Sequence, residues 1–168
     1  MGDVLSSGKR INGKIWSTSN LEVSTFRNGD LIPEAKTNEE WVEAGKNEQP
    51  AWCWASNDPE GRKEYGKLYN HYAVADPRGL APEGWRIPTG YELRALIVAH
   101  QLTDEINLPL AGYRSFVVGS LDNVGSDGTY WSSSVEGVAA RGLCLGSGNA
   151  EMLSLFRSYG YSVRCLKD

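Results

Sequence analysis

The sequence has little of what most catalytic and metal sites are built from. Its 168 residues include two histidines and three cysteines. Neither His71 nor His100 stands in the two-histidine or His–Glu spacing typical of zinc sites, and we find no G-x-S-x-G elbow and no phosphate-binding glycine loop. Cys53, Cys144 and Cys165 form neither a disulfide framework nor a zinc pattern, which leaves open one disulfide with a free thiol. We therefore expect no catalytic residues, no bound metal and no cofactor.

Charge and hydropathy exclude two further classes of protein. The net charge of −4 leaves no basic stripe, so we do not expect a nucleic-acid partner. No apolar run approaches the roughly 18 residues of a membrane-spanning helix. With 40% hydrophobic and 23% charged residues, the composition is that of an ordinary globular protein. The length suffices for one domain, which we place at residues 9–168 after a flexible or non-native N-terminus at residues 1–8.

Glycine and aromatic residues are abundant instead. Nineteen glycines, six tryptophans and eight tyrosines indicate many turns closed over aromatic anchors. Asn12-Gly13 and Asn28-Gly29 predict hairpins, because a type I′ turn needs positive φ at both central residues. An aromatic-rich strand is predicted around His71, and short strands and turns are predicted throughout the last third of the chain.

Two segments have the features of helices. TNEEWVEAG begins at a capping residue, Thr37 or Asn38, and ends near Gly45. In the second segment, Thr89 and Glu92 form a capping box in front of a buried stripe. The stripe consists of Leu93, Leu96, Ile97 and His100. We predict an α+β fold in which two helices pack against small, twisted antiparallel sheets.

Several polar residues fit structural roles better than chemical ones. We interpret His71 and His100 as packing or helix-end residues, since neither has a ligand partner at a suitable spacing. Cys53 lies between two tryptophans, which favours a small buried hydrophobe over a reactive thiol. The serines at 132–134 have no base nearby in the sequence, so a hydrogen-bonded turn is favoured over a nucleophile.

The stretch from Trp131 to Tyr161 has well-defined ends and an irregular middle. It reads WSSSVEGVAARGLCLGSGNAEMLSLFRSYGY, and neither a helical nor a strand period runs through it cleanly. Alternate side chains of an extended segment face opposite sides. Residues 142, 144 and 146 would then share one face, with 143 and 145 on the other. Residues 149, 151 and 153 would likewise lie opposite 150 and 152.

Strings along the whole chain are similar to one known family. They are FRNGDLIPE, NEEWVEAGK, PAWCW with NDP, YGKLYNHYAVADPRGLAPEGWRIPT, AGYR, NVGSDGTYWSSS and SYGYSVRCLKD. Together, over about residues 9–168, they closely resemble the Fibrobacter succinogenes major paralogous domain, which is related to formylglycine-generating enzymes and to the C-type-lectin-like fold. The resemblance implies a lectin-like fold whose terminal strands pair and whose long irregular second half packs as a loop on that base.

The frame YWSSS…GYSVRC also resembles that of variable proteins from diversity-generating retroelements, in which an error-prone reverse transcriptase rewrites selected codons near the C-terminus. The resemblance implies a variable region at about 130–164, where fixed positions alternate with exposed, diversified ones. Inward anchors would be Val138, Leu143, Leu145, Ala150 and Met152. The outward or loop-borne ligand-binding residues would be Glu136, Gly137, Ala140, Gly142, Cys144, Gly146, Ser147, Asn149, Glu151, Leu153, Ser154, Leu155, Phe156 and Tyr159.

Three of these expected ligand-binding residues are large and apolar. If Leu153, Leu155 and Phe156 are exposed, they form a contiguous apolar patch, and such patches often mark binding surfaces. The alternative is that all three are core residues of a buried strand. The two interpretations differ in the solvent exposure of these side chains.

The activities of related proteins do not transfer residue by residue. Formylglycine-generating enzymes use a pair of reactive cysteines a few residues apart, whereas the next cysteine after Cys144 is Cys165. Calcium-dependent lectins carry E-P-N or Q-P-D and a later W-N-D, whereas this chain has PEG at 82–84 and SND at 56–58. The Asp-Pro pairs at 58–59 and 76–77 are typical of turns, with a structural calcium ion as the alternative.

The resemblance therefore implies a non-enzymatic ligand-binding protein. Trp16, Trp85 and Trp131 would be its core anchors. Its partner would be a protein or a surface glycan on another cell or phage host, and the protein itself would be at the cell surface, secreted or part of a virion. Two alternatives stay open: an undiversified surface or adhesion module of the same family, and an enzyme of the formylglycine-generating type. The oligomeric state is also open, because proteins of this kind act as trimers or as monomers.

Overall fold

The computed structural model describes residue 5, residues 7–98 and residues 106–168, which form an α+β arrangement. Its helices are α1 (Asn38–Lys46), α2 (Pro59–Tyr65), α3 (His71–Val74) and α4 (Gly90–Val98). Its strands are β1 (Gly8–Ile11), β2 (Lys14–Ser17), β3 (Trp52–Trp54), β4 (Lys67–Tyr69), β5 (Trp85–Arg86), β6 (Tyr113–Arg114), β7 (Leu121–Asp122), β8 (Asp127–Glu136), β9 (Ala139–Gly146), β10 (Asn149–Phe156) and β11 (Leu166–Lys167). The prediction of two helices was wrong, since this part of the chain contains four.

The two ends of the chain meet in one sheet. Its strand order is β1-β2-β11-β5, and Leu166 near the C-terminus pairs with Trp16. Asn12 and Gly13 join β1 to β2 with φ values of 50° and 78°, which confirms the predicted type I′ hairpin. The expected pairing of terminal strands is confirmed as well.

The second predicted hairpin is smaller than expected. Gly29 has positive φ at 93°, but Asn28 does not, so the turn is not of type I′. The Phe26 N–H donates to the Asp30 carbonyl at 2.8 Å, and Thr25 and Leu31 form an isolated bridge. The segment is a tight turn with a single bridge, since only one of its two central residues adopts the left-handed conformation that the hairpin turn requires.

Both predicted helices form, with the predicted caps. The Thr37 hydroxyl accepts from the Glu40 N–H, and the Glu40 carboxylate accepts from the Thr37 N–H in return. Thr89 and Glu92 make the same reciprocal pair in front of α4. In the predicted stripe of α4, Leu93 and Leu96 are buried and Ile97 is half-buried. The fourth residue of the stripe, His100, lies outside the described residues.

The two additional helices are short and begin at polar caps. Asp58 caps α2 by accepting from the Gly61 N–H at 3.1 Å, and Pro59 follows at the first helical position. Asp58-Pro59 is thus a helix start, and the predicted turn was wrong there. Asn70 caps α3, so His71 begins a helix and the prediction that it lies within a strand was wrong. The Asp76 segment is a turn as predicted, closed by the Gly79 N–H on the Asp76 carbonyl.

The predicted tryptophan anchors lie in the core. The exposed fractions of Trp16, Trp85 and Trp131 are 2%, 8% and 0%. The Trp131 indole N–H donates to the Tyr69 carbonyl at 2.8 Å, which ties the C-terminal half of the chain to β4. A buried indole with its N–H satisfied contributes a large apolar area without leaving a polar group unpaired.

The C-terminal stretch forms a regular sheet where the resemblance implied a loop. β8, β9 and β10 pair antiparallel in the order β10-β9-β8. The pairing of β8 with β9 is interrupted by a bulge between Trp131 and Val135. The three serines are this bulge and not a turn: the Ser132 hydroxyl donates to the Arg141 carbonyl at 2.7 Å, and the Ser133 N–H donates to the Pro88 carbonyl at 2.8 Å.

The cysteines contribute as separate thiols. Cys53, Cys144 and Cys165 are all free. Burial raises the pKa of Cys53 to about 12, consistent with the predicted small hydrophobe.

In the part of the chain that the structure describes, no helix is long and apolar enough to cross a membrane.

Candidate functional site

The C-terminal sheet has two faces with different environments. Helix α4 packs on one of them, which we call the helix face. There Leu143 is fully buried in a cluster with Leu93 and Leu96, and further side chains pack against that cluster. These are Leu145, Ala150 and Met152. Four of the five predicted inward anchors therefore share the helix face; the fifth, Val138, is 83% exposed, so that prediction was wrong.

The opposite face, which we call the front face, is set by the strand register. Its cross-strand pairs are Gly146 with Asn149, Cys144 with Glu151, Gly142 with Leu153, and Ala140 with Leu155. One end of this face rests on the core and the other is open. Ala140 is fully buried beside Trp131, whereas Glu151 is exposed and Leu153 is 38% exposed.

Aromatic side chains from three segments line the edge of the front face. From the core outward they form what we call the aromatic row: Trp131, Tyr161, Tyr159, Phe116 and Phe156. Successive ring centroids are 4.7, 5.4, 4.8 and 5.4 Å apart. Such pairs contribute about 0.5–1.5 kcal/mol each beyond the apolar area that they bury. The row thus reaches from a fully buried indole to a phenyl ring that is 58% exposed.

The open end of the row borders a groove. A cavity of about 370 Å³ lies there, lined by Phe116, Val138, Phe156, Tyr72, Arg157, Glu48, Gly137 and Ser158. The Arg157 guanidinium stacks on the Tyr72 ring at 5.0 Å, and its Nε has no hydrogen-bond partner among the described residues. The groove therefore combines apolar walls with one guanidinium.

The structure divides the predicted ligand-binding residues among several places. Seven lie on the front face or at its edge: Gly142, Cys144, Gly146, Asn149, Glu151, Leu153 and Leu155. Gly137 and Ser147 lie in the two turns, and Tyr159 is half-buried in the aromatic row. Glu136, Ser154 and Phe156 belong to the helix-face register, where the Ser154 hydroxyl donates to the Glu136 carboxylate. Phe156 ends its strand and turns its ring to Phe116.

Two of the predicted outward positions are buried. Ala140 has no exposed surface, because it packs in the main core cluster. Gly142 is buried because the Leu155 side chain covers it; a Cβ there would lie 2.7 Å from Leu155 Cδ1. The outward assignment was wrong for both. By contrast, Leu153, Leu155 and Phe156 are not core residues of a buried strand, since the first and third are exposed and Leu155 is half-buried.

The loop between β6 and β7 supplies residues that sequence reasoning missed. Phe116 is in the aromatic row, while Val117 and Val118 are 65% and 61% exposed. Tyr113 in β6 adds an edge contact, with its ring 5.7 Å from Tyr159. Alternation within residues 131–161 could not reveal them; the signal available was the apolar triplet FVV between Ser115 and Gly119.

Burial shifts the pKa values of two side chains near this surface, Cys144 and His71. Burial raises the pKa of Cys144, whose thiol contacts the Thr129 hydroxyl at 3.6 Å, so the thiol stays protonated at neutral pH. Burial lowers the pKa of His71 to about 4, and its Nε2 pairs with the Ser132 carbonyl at 2.9 Å. Among the described residues, no group of three or more metal-ligating side chains occurs. What the surface offers is apolar and aromatic contact with a few hydrogen-bonding groups.

Comparison with known proteins identifies the N-terminal part of the chain. The model of the Fibrobacter succinogenes major domain matches residues 10–105, more than half of the chain and all of it ahead of the C-terminal sheet. Searches of curated proteins and of solved structures gave no match. The front face and the aromatic row thus lie outside the matched residues. On the match over residues 10–105, the chain belongs to the Fibrobacter succinogenes major domain family.

Proposed function

We propose that this protein binds a ligand, without converting it, through the front face and the exposed end of the aromatic row. The observation that carries the proposal is the convergence of exposed apolar side chains from separate segments. Phe156 of β10 meets Phe116 of the β6–β7 loop, and Val138 of the β8–β9 turn lines the same groove. Contiguous exposed apolar surface is unusual in a protein without a binding role.

The surface has the composition of a binding site. Aromatic side chains supply large, rigid contact area at low conformational-entropy cost. Polar side chains belong to the same surface: Glu151 and Asn149 lie along the front face, and Arg157 lines the groove. An apolar centre with a polar rim is the usual anatomy of a protein-binding surface.

We further propose that the scaffold is C-type-lectin-like and that the exposed positions are diversified by a retroelement. The support is the separation of scaffold from surface. Strands β9 and β10 are paired without interruption, from Ala139 opposite Phe156 to Gly146 opposite Asn149. The buried side chains that anchor this pair of strands lie on the helix face. Side chains at Asn149, Glu151 and Leu153 can therefore change while the pairing and the core stay the same.

The corrected positions refine which residues are suited to vary. Ala140 lacks room for a larger side chain, because it is fully buried against the core. We therefore assign Ala140 and Gly142 to the scaffold, and add Phe116, Val117 and Tyr113 as fixed parts of the binding surface. The ligand that we propose is a protein or surface glycan on another cell or phage host, encountered by a surface-located, secreted or virion-borne protein.

A binding screen tests the proposal. The wild-type protein is applied to arrays of cell-surface proteins and of glycans, and each hit is measured again with Leu153→Asp and Phe156→Asp. Leu31→Asp is the matched control, because Leu31 is also exposed, at 77%, but belongs to the turn of residues 25–31. We expect the Leu153 and Phe156 variants to lose the hits and the control to keep them. Hits that survive both substitutions would refute the assigned surface.

Diversification has a separate test at the DNA level. A retroelement-diversified gene has a reverse-transcriptase gene nearby and a near-copy of its own 3′ end that differs mainly at adenines. Sequencing the locus distinguishes this arrangement from an undiversified adhesion module of the same family. A locus without both features would end the proposal of diversification and leave the binding surface to be judged by the screen.

A further inference from the structure

Arg114 is a buried cation with few partners. It is 5% exposed, and its Nη2 donates to the Asn38 side-chain oxygen at 3.2 Å. Its Nε has no partner, and it forms no ion pair, among the residues that the structure describes. Arg164 shows the contrast: it is 1% exposed and donates four hydrogen bonds, to Asn20, Ser17 and Asn107.

This difference matters energetically. A guanidinium removed from water must recover its hydration from hydrogen bonds or from an opposite charge. Arg164 recovers it from carbonyl and amide oxygens. Among the described residues, Arg114 donates to one oxygen, that of Asn38, and its other neighbours are the Trp41 ring, 5.9 Å from the guanidinium carbon, and the Cys53 thiol. The guanidinium of Arg114 is therefore prepared to receive an acceptor that the described residues do not provide.

A cavity lies beside this guanidinium. Its volume is about 450 Å³, within the range of small-molecule sites. Its lining residues are Glu34, Ala35, Lys36, Cys53, Trp54, Asn57, Arg62 and Arg114. Three of these side chains are cationic and one is anionic, so an anion is favoured over a cation. The carboxylate of nearby Glu40 is engaged in capping α1, where it accepts from Lys36 N–H at 2.6 Å.

The walls of the cavity indicate a ligand that has a flat body as well as a charged group. The Arg62 guanidinium lies 5.4 Å from the Trp54 ring centre, and its Nε donates to the Ser56 carbonyl at 3.2 Å. This places a flat aromatic surface next to a second planar donor. A guanidinium fits a carboxylate with two parallel hydrogen bonds. A dianion such as phosphate would be less suitable, because the carboxylate of Glu34 faces the same space.

We propose that this cavity binds a small carboxylate with a flat apolar body. Arg114 meets the carboxylate at the buried end, Arg62 holds it at the rim, and Trp54 packs against the body. The site is separate from the aromatic row, since Tyr113 and Arg114 are successive residues of β6 and point to opposite faces. The binding does not depend on the function proposed for the front face.

Nuclear magnetic resonance titration of the full chain with benzoate tests the site. Benzamide is the neutral control of the same shape, and inorganic phosphate is the competing anion. We expect benzoate to bind saturably in the millimolar range, shifting the Trp54 indole resonance, while benzamide and phosphate bind at least about tenfold more weakly. Equal binding of benzamide, stronger binding of phosphate, or no saturable shift with benzoate would each overturn the proposal.

Variants locate the binding in this cavity. Arg62→Gln should weaken benzoate binding about tenfold, the usual value of one charge-assisted hydrogen bond. Lys63→Gln is the matched control: it makes the same charge change in α2, but Lys63 pairs with Glu60 and does not line the cavity. Arg114→Lys should also weaken benzoate binding. Because Arg62 is half-buried and lies off the core, Arg62→Gln tests the site even if Arg114→Lys fails to fold. Equal affinities for Arg62→Gln and wild type would show that benzoate binds elsewhere.

Discussion

Two leucines on opposite faces of neighbouring strands of the C-terminal sheet should respond very differently to the same substitution. Leu143 in β9 is fully buried on the helix face, whereas Leu153 in β10 is 38% exposed on the front face. Changing a fully buried leucine to alanine costs about 3 kcal/mol, since the lost transfer energy is increased by the cavity left behind. At Leu153 the side chain is partly in water and no closed cavity forms, so we expect about 1 kcal/mol or less.

Thermal unfolding followed by circular dichroism measures this difference. For a chain of this size, 1 kcal/mol shifts the melting temperature by about 2–4 °C. We therefore expect Leu143→Ala to lower the melting temperature by about 10 °C and Leu153→Ala by about 3 °C or less. Urea unfolding gives the same comparison as a shift in midpoint at unchanged slope. Equal losses at the two positions would refute the assignment of the two faces, and with it the separation of scaffold from binding surface.

Two further predictions concern titration and thiol reactivity. Because burial lowers the pKa of His71 to about 4 from its usual value near 6.5, the unfolded chain binds a proton that the folded chain does not as pH falls between these values. Stability should therefore fall from pH 6.5 to pH 4, and His71→Gln should flatten the pH dependence of the urea midpoint in that range; an unchanged dependence would show that His71 is not the group responsible. A colorimetric thiol reagent should modify one cysteine per native chain, Cys144, which is half-buried while Cys53 and Cys165 are buried with pKa values raised to about 12. Cysteine counts after Cys144→Ser check the assignment, and rapid labelling of two or three native thiols would contradict it.

Local features of the fold could be predicted because their causes are local. The reciprocal bonds of Thr37 with Glu40 depend on residues three positions apart, and so does the cap of α4. The Asn12-Gly13 turn depends on the two residues that adopt positive φ. The same reasoning was wrong for Asn28-Gly29. There the Phe26 N–H donates to the Asp30 carbonyl, and Gly29 has positive φ whereas Asn28 does not.

Short helices were missed for a related reason. α2 and α3 span seven and four residues, too few for a periodic apolar pattern to appear. Their caps, Asp58 and Asn70, are residues that are equally common in turns. The Asn70 side chain also accepts from the Ala51 N–H at 3.1 Å, so α3 is held in place by a contact 19 residues away in sequence. Such a contact has no local signal.

The candidate site was predicted in part. Strand alternation places residues 142–146 and 149–153 on alternating faces, and the register of β9 with β10 follows that order. Alternation does not say how far along a face the core extends. Ala140 was expected outward and is buried, because Trp131 and the main core cluster lie against that end of the face.

The amino-acid sequence by itself determined the caps, the first hairpin, the buried tryptophans and the alternation of the C-terminal strands, since each depends on residues close together in the chain or on strong apolar preference. Only the tertiary structure decided which end of the front face is open, that Phe116 and Phe156 meet, and that Arg114 is left beside a cavity with one hydrogen bond. These features arise where segments 40 or more residues apart come together. The free energy of such contacts depends on shape and burial at the meeting point, which no single segment of the chain encodes.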